Sequence, residues 1–229
     1  MPKTFVSFDV DDTLLSGNSV HQAAFSRAFA EVFGIDASIT EINHHGWTDV
    51  ALVVELATRH GVPEAVARAR ATEAREVMVE YFRAHVSESK SAVLPGVEDL
   101  LEALASRGAC LGLVTGNLEE IAWTKMEWHG LRGYFSVGGF GSDHEDRAEL
   151  VKLALRRAEK STGCSFRAFH VGDSPADLDA AFRAGARGIG VASGVFDAEE
   201  LSKHPHHAVL PDLTDVEGFL RLTGMVTEN

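Results

Sequence analysis

Apolar and polar positions follow two different rhythms along this chain of 229 residues. Phe5, Val6 and Phe8 form a short run of aromatic and β-branched residues, the pattern of a buried strand. That run passes directly into Asp9, Asp11 and Asp12. After the turn-like stretch "SGNS" the rhythm becomes helical, with Phe25, Ala28, Phe29, Val32 and Phe33 recurring up to Gly34. The spacing predicts a second helix over 49–60, stopped by Gly61, and a third over 63–86 that carries Met78, Tyr81, Phe82 and Val86. No strand is expected between residues 16 and 90.

From "SESKSAVLPG" onward, helical and strand patterns alternate. A helix over 97–107 precedes the strand "ACLGLVT", which ends at Thr115. "NLEEIAWTKMEWHG" reads as a helix capped by Asn117 and stopped by Gly130, and "YFSVGGF" as a short strand. A helix over 145–160, the strand "FRAFHVGD" ending at Asp173, the helix "SPADLDAAFRAGA" and the strand "RGIGVAS" follow, and "HAVL" and "VEGFLRLT" add one more pair. Such alternation predicts an α/β fold: a doubly wound, Rossmann-like parallel sheet with helices on both faces. Ligands in such sheets sit beyond the carboxyl ends of the strands. Three of those ends carry polar residues: Asp9, Thr115 and Asp173.

Composition narrows the partners. A formal charge of −13 argues against nucleic acid or an anionic membrane, but leaves room for a small anion if a local cation prepares its site. Cys110 and Cys164 are too few for a disulfide scaffold or a zinc cluster. No stretch approaches a membrane span and no apolar leader is evident, so the expected location is cytoplasmic.

Residues two apart in an extended segment point the same way, so Asp9 and Asp11 can face one point, with Asp12 opening a turn. Clustered carboxylates at a strand end repel one another and lose hydration. In "GDSPAD", Ser174 suits a helix N-cap, Pro175 the first helical position and Asp177 the positive end of the helix dipole. Asp173 has no such local explanation. Two strand ends bearing carboxylates suit Mg²⁺, a hard cation that joins one or two carboxylates to a substrate phosphate. "LVTGN" adds the Thr115 hydroxyl and Gly116, whose amide can come close to a ligand.

Together, "DVDDT", "LVTGN", a basic residue before a helix, and "VGDSPAD" resemble the haloacid dehalogenase (HAD) superfamily of phosphohydrolases, in the family's order and across nearly the whole chain. The resemblance implies a core of residues 1–15 and 91–229, with 16–90 as an inserted, all-helical cap domain. It implies that Asp9 is the nucleophile and that Asp11 is the general acid/base, giving its backbone carbonyl to Mg²⁺. Asp173 would complete the metal site of Asp9 and Asp11, Asp177 would support it, and Thr115, with Gly116 and Asn117, would hold a phosphoryl oxygen. The family usually has a Lys as its third motif. Here "GSDHEDRAELVKLAL" offers Arg147, with Lys152 as the alternative. The presence of Asp11 favours phosphoryl transfer over dehalogenation.

The implied activity is Mg²⁺-dependent hydrolysis of a small phosphorylated metabolite through an aspartyl phosphate, in a branch similar to the phosphoglycolate phosphatases. A sugar-phosphate mutase with the same motifs is the alternative within the superfamily. A receiver-type signalling domain or a phospholigand-binding protein represents a different class. The Gly-containing break "NHHGWTD" makes His44, His45 and Trp47 candidates for reading the substrate, whereas "KHPHH" reads as a surface turn. Monomer and homodimer both remain open.

Overall fold

The structure, a computed structural model, describes residues 3–226. The outermost residues of the expected core segments, 1–2 and 227–229, lie outside the described residues. The chain begins with β1 (Lys3–Phe8) and β2 (Leu15–Ser16). The helical block follows: α1 (Ser19–Ala28), α2 (Asp49–Arg59), α3 (Glu64–Ala69) and α4 (Ala71–His85). Next come β3 (Ala92–Val93), α5 (Val97–Ser106), β4 (Cys110–Thr115), α6 (Glu119–Trp128) and β5 (Val137–Phe140). The chain continues with α7 (Arg147–Thr162), β6 (Phe166–Gly172), α8 (Pro175–Ala184) and β7 (Arg187–Val191). The last elements are α9 (Ala198–Leu201), β8 (Ala208–Leu210) and α10 (Val216–Thr223).

Six strands form one sheet in the order β5-β4-β1-β6-β7-β8, and every pairing in it is parallel. The expected α/β architecture is therefore present. Alternation along β1 explains its central place. Phe5 points to one face, where Ala148, Val151 and Ala154 of α7 pack. Val6 and Phe8 point to the other, against Leu100 and Leu104 of α5 and Phe219 of α10. A strand buried on both faces must read as a nearly continuous apolar run, as this one does. The register sets Phe8 beside Leu113 of β4 and Val171 of β6. The ends of these three strands, each followed by polar side chains, thus meet where the strand order reverses.

Three features depart from the sequence reading. β2 and β3 pair antiparallel, Leu15 with Val93 and Ser16 with Ala92, so the chain enters and leaves the helical block through one two-stranded ribbon. Two-residue strands are too short to leave a periodic signal. The helix expected over 63–86 is broken at Arg70, whose guanidinium reaches the Val32 carbonyl. The break serves two surfaces: Ala67 of α3 packs on Val54 and Ala57 of α2, while Ala74, Met78 and Phe82 of α4 pack with Phe25 and Phe29. Finally, Asn117 does not cap α6. Leu118 occupies that position with no side-chain cap, because the Asn117 amide is used elsewhere. The core of the helical block is completed from outside it, by Leu118 and by Ile121 of α6.

Candidate active site

One cavity of about 80 Å³ lies over the carboxyl ends of β1, β4 and β6, and Asp9, Asp11, Thr115, Asn117, Arg147 and Asp173 line it. It is roofed by the helical block. Asp9 directly follows β1, and its amide donates to the Val171 carbonyl at 2.9 Å. Asp12 takes a left-handed φ of 59°, which aspartate tolerates better than most residues, and so turns the chain away after Asp11.

On one side of the cavity, negative charge exceeds positive. One carboxylate oxygen from each of Asp9, Asp173 and Asp177 lies within 4.8 Å of the others, and all three residues are buried. Arg147, at the start of α7, sends Nη1 to Asp177 and to within 3.6 Å of Asp9 Oδ2. Asp9 Oδ1 and Arg147 Nε are buried without hydrogen-bond partners. Burial pushes the Asp9 carboxyl up to about 6, with Asp177 and Asp11 adding to the rise and Arg147 opposing it. Burial, and then the charges of Asp177, Asp9 and Asp12, push Asp173 up to about 9. Asp177 goes the other way. Burial would raise it, but Arg147 and the hydrogen bonds from His170 and Ser174 hold it well below the usual carboxylate range. Ser174 and Asp177 form the capping box of α8 with Pro175 in its first turn, as the sequence predicts.

The other side is electrostatically complete. Lys125 Nζ donates to both Asp11 oxygens at 2.7 and 2.8 Å, and to Asn117 Oδ1 at 2.7 Å. Asn117 Nδ2 donates to Asp11 Oδ2 at 2.9 Å. Although burial would raise Asp11, the Lys125 ammonium holds it below its ordinary value. Thr115 Oγ1 accepts from the Asn117 backbone N–H at 3.3 Å, which leaves its own proton for a ligand.

The helical block closes the cavity at two points of backbone contact. Asp49 donates its amide to the Gly116 carbonyl at 2.8 Å, and its Oδ2 accepts from Leu118 N at 2.8 Å. A side chain at Gly116 would collide with the Trp47 carbonyl, 2.1 Å from the Cβ position. Gly46 has φ +81° and a Cβ position 2.4 Å from that of Ala176, so this loop also rests on α8. His44, His45 and Trp47 all line the cavity. His44 and His45 stack at 4.8 Å, and burial, reinforced by His44, depresses His45.

The structure thus brings together Asp9, Asp11, Thr115, Gly116, Asn117, Arg147 and Asp173 with the three loop residues, and sets Asp177 behind them. It leaves Lys152 out: that side chain pairs with Glu149 on the surface, at 2.8 Å. "KHPHH" is a surface turn, with His204 bonded to Asp179 at 3.1 Å. Sequence reasoning missed Lys125, His21 and Asp49. The signal for Lys125 was a cation standing in the apolar stripe of Ile121, Ala122 and Met126. His21 and Asp49 left no such signal, because each has ordinary spacing on an amphipathic helix.

The family model described as haloacid dehalogenase-like hydrolase matches residues 4–185. The chain belongs to that family. The matched segment includes the adjoining strands β5, β4, β1 and β6 of the sheet. A phosphoglycolate phosphatase of Agrobacterium fabrum is 31% identical over 130 residues, 57% of this chain and 55% of that one. The phosphoglycolate phosphatase of Pectobacterium atrosepticum is 28% identical over 219 residues, 92% of this chain and 89% of its own. The chain spans about half the length of several curated relatives it matches. The crystal structure of a hydrolase from Pseudomonas syringae superposes with a TM-score of 0.71 at 21% identity, covering 96% of this chain and 98% of that one. That likeness concerns the fold. No helix among the described residues is long and apolar enough to cross a membrane.

Proposed function

We propose that this hydrolase is a Mg²⁺-dependent phosphatase that removes phosphate from a small phosphorylated metabolite through an aspartyl phosphate on Asp9. The observation that carries the reading is Asp9 Oδ1: a buried oxygen with no partner, on a residue that lines the cavity, with Arg147 beside its other oxygen. An unsatisfied buried oxygen is costly, and a nucleophile has reason to remain unsatisfied. The similarity to phosphoglycolate phosphatases supports a small phosphomonoester as substrate.

The donor set fits a hard divalent cation. Asp9 and Asp173 crowd together, and Asp173 holds its proton up to about 9 because burial and its neighbours' charges oppose ionisation. Asp9, the Asp11 carbonyl and Asp173 would hold Mg²⁺, with Asp177 in support, and the ion would neutralise charge on the phosphoryl oxygens. Asp9, ionised for the most part at pH 7, attacks phosphorus in line, and the protonated fraction of Asp11, a carboxyl that Lys125 otherwise holds ionised, gives its proton to the leaving oxygen. Arg147 and the Thr115 hydroxyl stabilise the equatorial oxygens. Asp11 then takes a proton from the water that cleaves the aspartyl phosphate. Residues 16–90 act as the cap, and His44, His45 and Trp47 contact the part of the substrate beyond the phosphoryl group.

The test is phosphate release from a panel of phosphomonoesters. Activity is expected with Mg²⁺, and it should vanish in excess EDTA and in Asp9→Asn. Undiminished turnover in either case refutes the reading. Transfer of phosphate to a sugar, with none appearing in water, would assign the chain to the mutases instead.

A further inference from the structure

We propose that Lys125 is the positioning residue for Asp11, holding its carboxylate in the orientation that proton transfer requires. The inference rests on the acid/base reading of Asp11. Lys125 lies on the buried stripe of α6 that also carries Ile121, Ala122 and Met126, and its side chain is 6% exposed. A methionine there would fill the stripe without desolvating an ammonium, a cost of several kcal/mol per ion that attraction repays only with excellent geometry. The geometry here is excellent. An ammonium has three protons, and Lys125 Nζ meets three acceptors: the Asp11 carboxylate, Asn117 Oδ1 and His21 Nδ1, the last at 3.3 Å.

Each acceptor is fixed in turn. Because His21 Nδ1 accepts from Lys125, its proton sits on Nε2 and goes to Asp49 Oδ2 at 3.0 Å. Because Asn117 Oδ1 accepts from Lys125, its amide N–H faces Asp11. No member of the set can rotate without breaking another member's bond. Asp11 lines the cavity and Lys125 does not, so the ammonium holds in place a carboxylate that itself borders the substrate's space. Arg147 pairs with Asp9 and Asp177, so binding of the phosphoryl group does not depend on this clamp.

Rapid mixing of p-nitrophenyl phosphate with Mg²⁺ and wild type, Lys125→Met, Lys125→Arg or Asp11→Asn tests the assignment. Nitrophenolate leaves without a proton, so a misplaced Asp11 should slow only the hydrolysis of the aspartyl phosphate. K125M is expected to give a burst near one equivalent, followed by turnover slowed about 100-fold, the lower end of what general acid–base catalysis contributes. KM should not rise, and acid quenching should find the phosphoryl group on Asp9. K125R, which keeps a cation at Asp11, should recover part of the turnover. Burst and turnover falling in equal proportion in K125M, or wild-type turnover, would overturn the proposal. If K125M fails to melt cooperatively, the same comparison is made on Lys125→Gln. Asp11→Asn separates the two readings. If D11N traps no phosphoenzyme, the acid/base role of Asp11 falls, and the clamp with it. If D11N traps it and the Lys125 variants do not, only the clamp falls.

Discussion

Asp9 and Asp11 stand two residues apart, yet the two sides of the cavity treat them in opposite ways. Around Asp9, three buried carboxylates share one guanidinium, an oxygen lacks a partner, and two of the carboxyl groups are pushed upward. Around Asp11, every proton of Lys125 has an acceptor, and the carboxyl is pushed downward. The first side is left under electrostatic stress that a cation and a phosphoryl group can relieve. The second is a finished ion pair that needs nothing added. Electrostatic stress and a satisfied ion pair are thus divided between two residues of one strand end.

Alanine substitutions should separate the two sides most sharply. Asp9→Ala removes the nucleophile, and turnover should fall by about 10⁴-fold or more. It also removes a crowded negative charge, so in EDTA its Tm should match or exceed that of wild type. Asp11→Ala leaves a buried ammonium without its carboxylate, which typically costs about 3–5 kcal/mol and corresponds to a Tm lower by roughly 10 °C in a chain of this size. Calorimetry on both variants checks the contrast, and equal Tm losses would erase it.

A smaller effect belongs to the cations. Arg147→Ala should lose roughly 100- to 1,000-fold in kcat/KM, as removal of a transition-state donor does. Lys152→Ala, on an exposed pair, should change neither activity nor stability beyond about 0.5 kcal/mol. Comparable rates in the two variants would mean that Arg147 does not fill the third-motif role.

The smallest effect is a pH dependence confined to the stressed side. Asp9 and Asp173 have carboxyls raised to about 6 and about 9, so the metal-free folded state holds protons that the unfolded chain releases above its own carboxylate values near 4. Their contribution to stability is full below about pH 4 and is lost as pH climbs through those two values. A cation needs both groups ionised, so its stabilisation should grow over the same window. The Tm gained from saturating Mg²⁺ should accordingly be larger near pH 8.5 than near pH 6, by a few degrees. A pH-independent gain would mean that these two carboxylates do not hold the ion.

The stressed side was legible in the sequence and the finished side was not, for a physical reason. Strand register places whatever follows β1, β4 and β6 at one edge, so Asp9, Thr115 and Asp173 needed only the alternation of elements to be brought together. Arg147 was offered, beside Lys152, only by the resemblance to the family, and it stands at the start of α7. Lys125 reaches Asp11 through a side chain that starts in the second turn of α6, and nothing in spacing along the chain encodes that reach. Asn117 illustrates the cost of purely local rules: its position suits a cap, but a buried lysine and a carboxylate compete for the amide and win. The break at Arg70 also has a tertiary cause, since α3 and α4 must face different partners.

The central position of β1 has a consequence for how the protein is made. Phe5 pairs with Cys110 on one side and with Ala168 on the other, so β1, made before either partner, is flanked only after both later strands exist. At roughly 5–20 residues per second, β1 waits roughly 5–20 seconds for β4 as an apolar segment with both edges open. Segments of that kind invite pairing with other chains, and charge beside them is the usual protection. Asp9, Asp11 and Asp12 supply three charges at its end. Asp9 and Asp11, which serve the site, thus also set charge beside the strand during the interval before its partners are made.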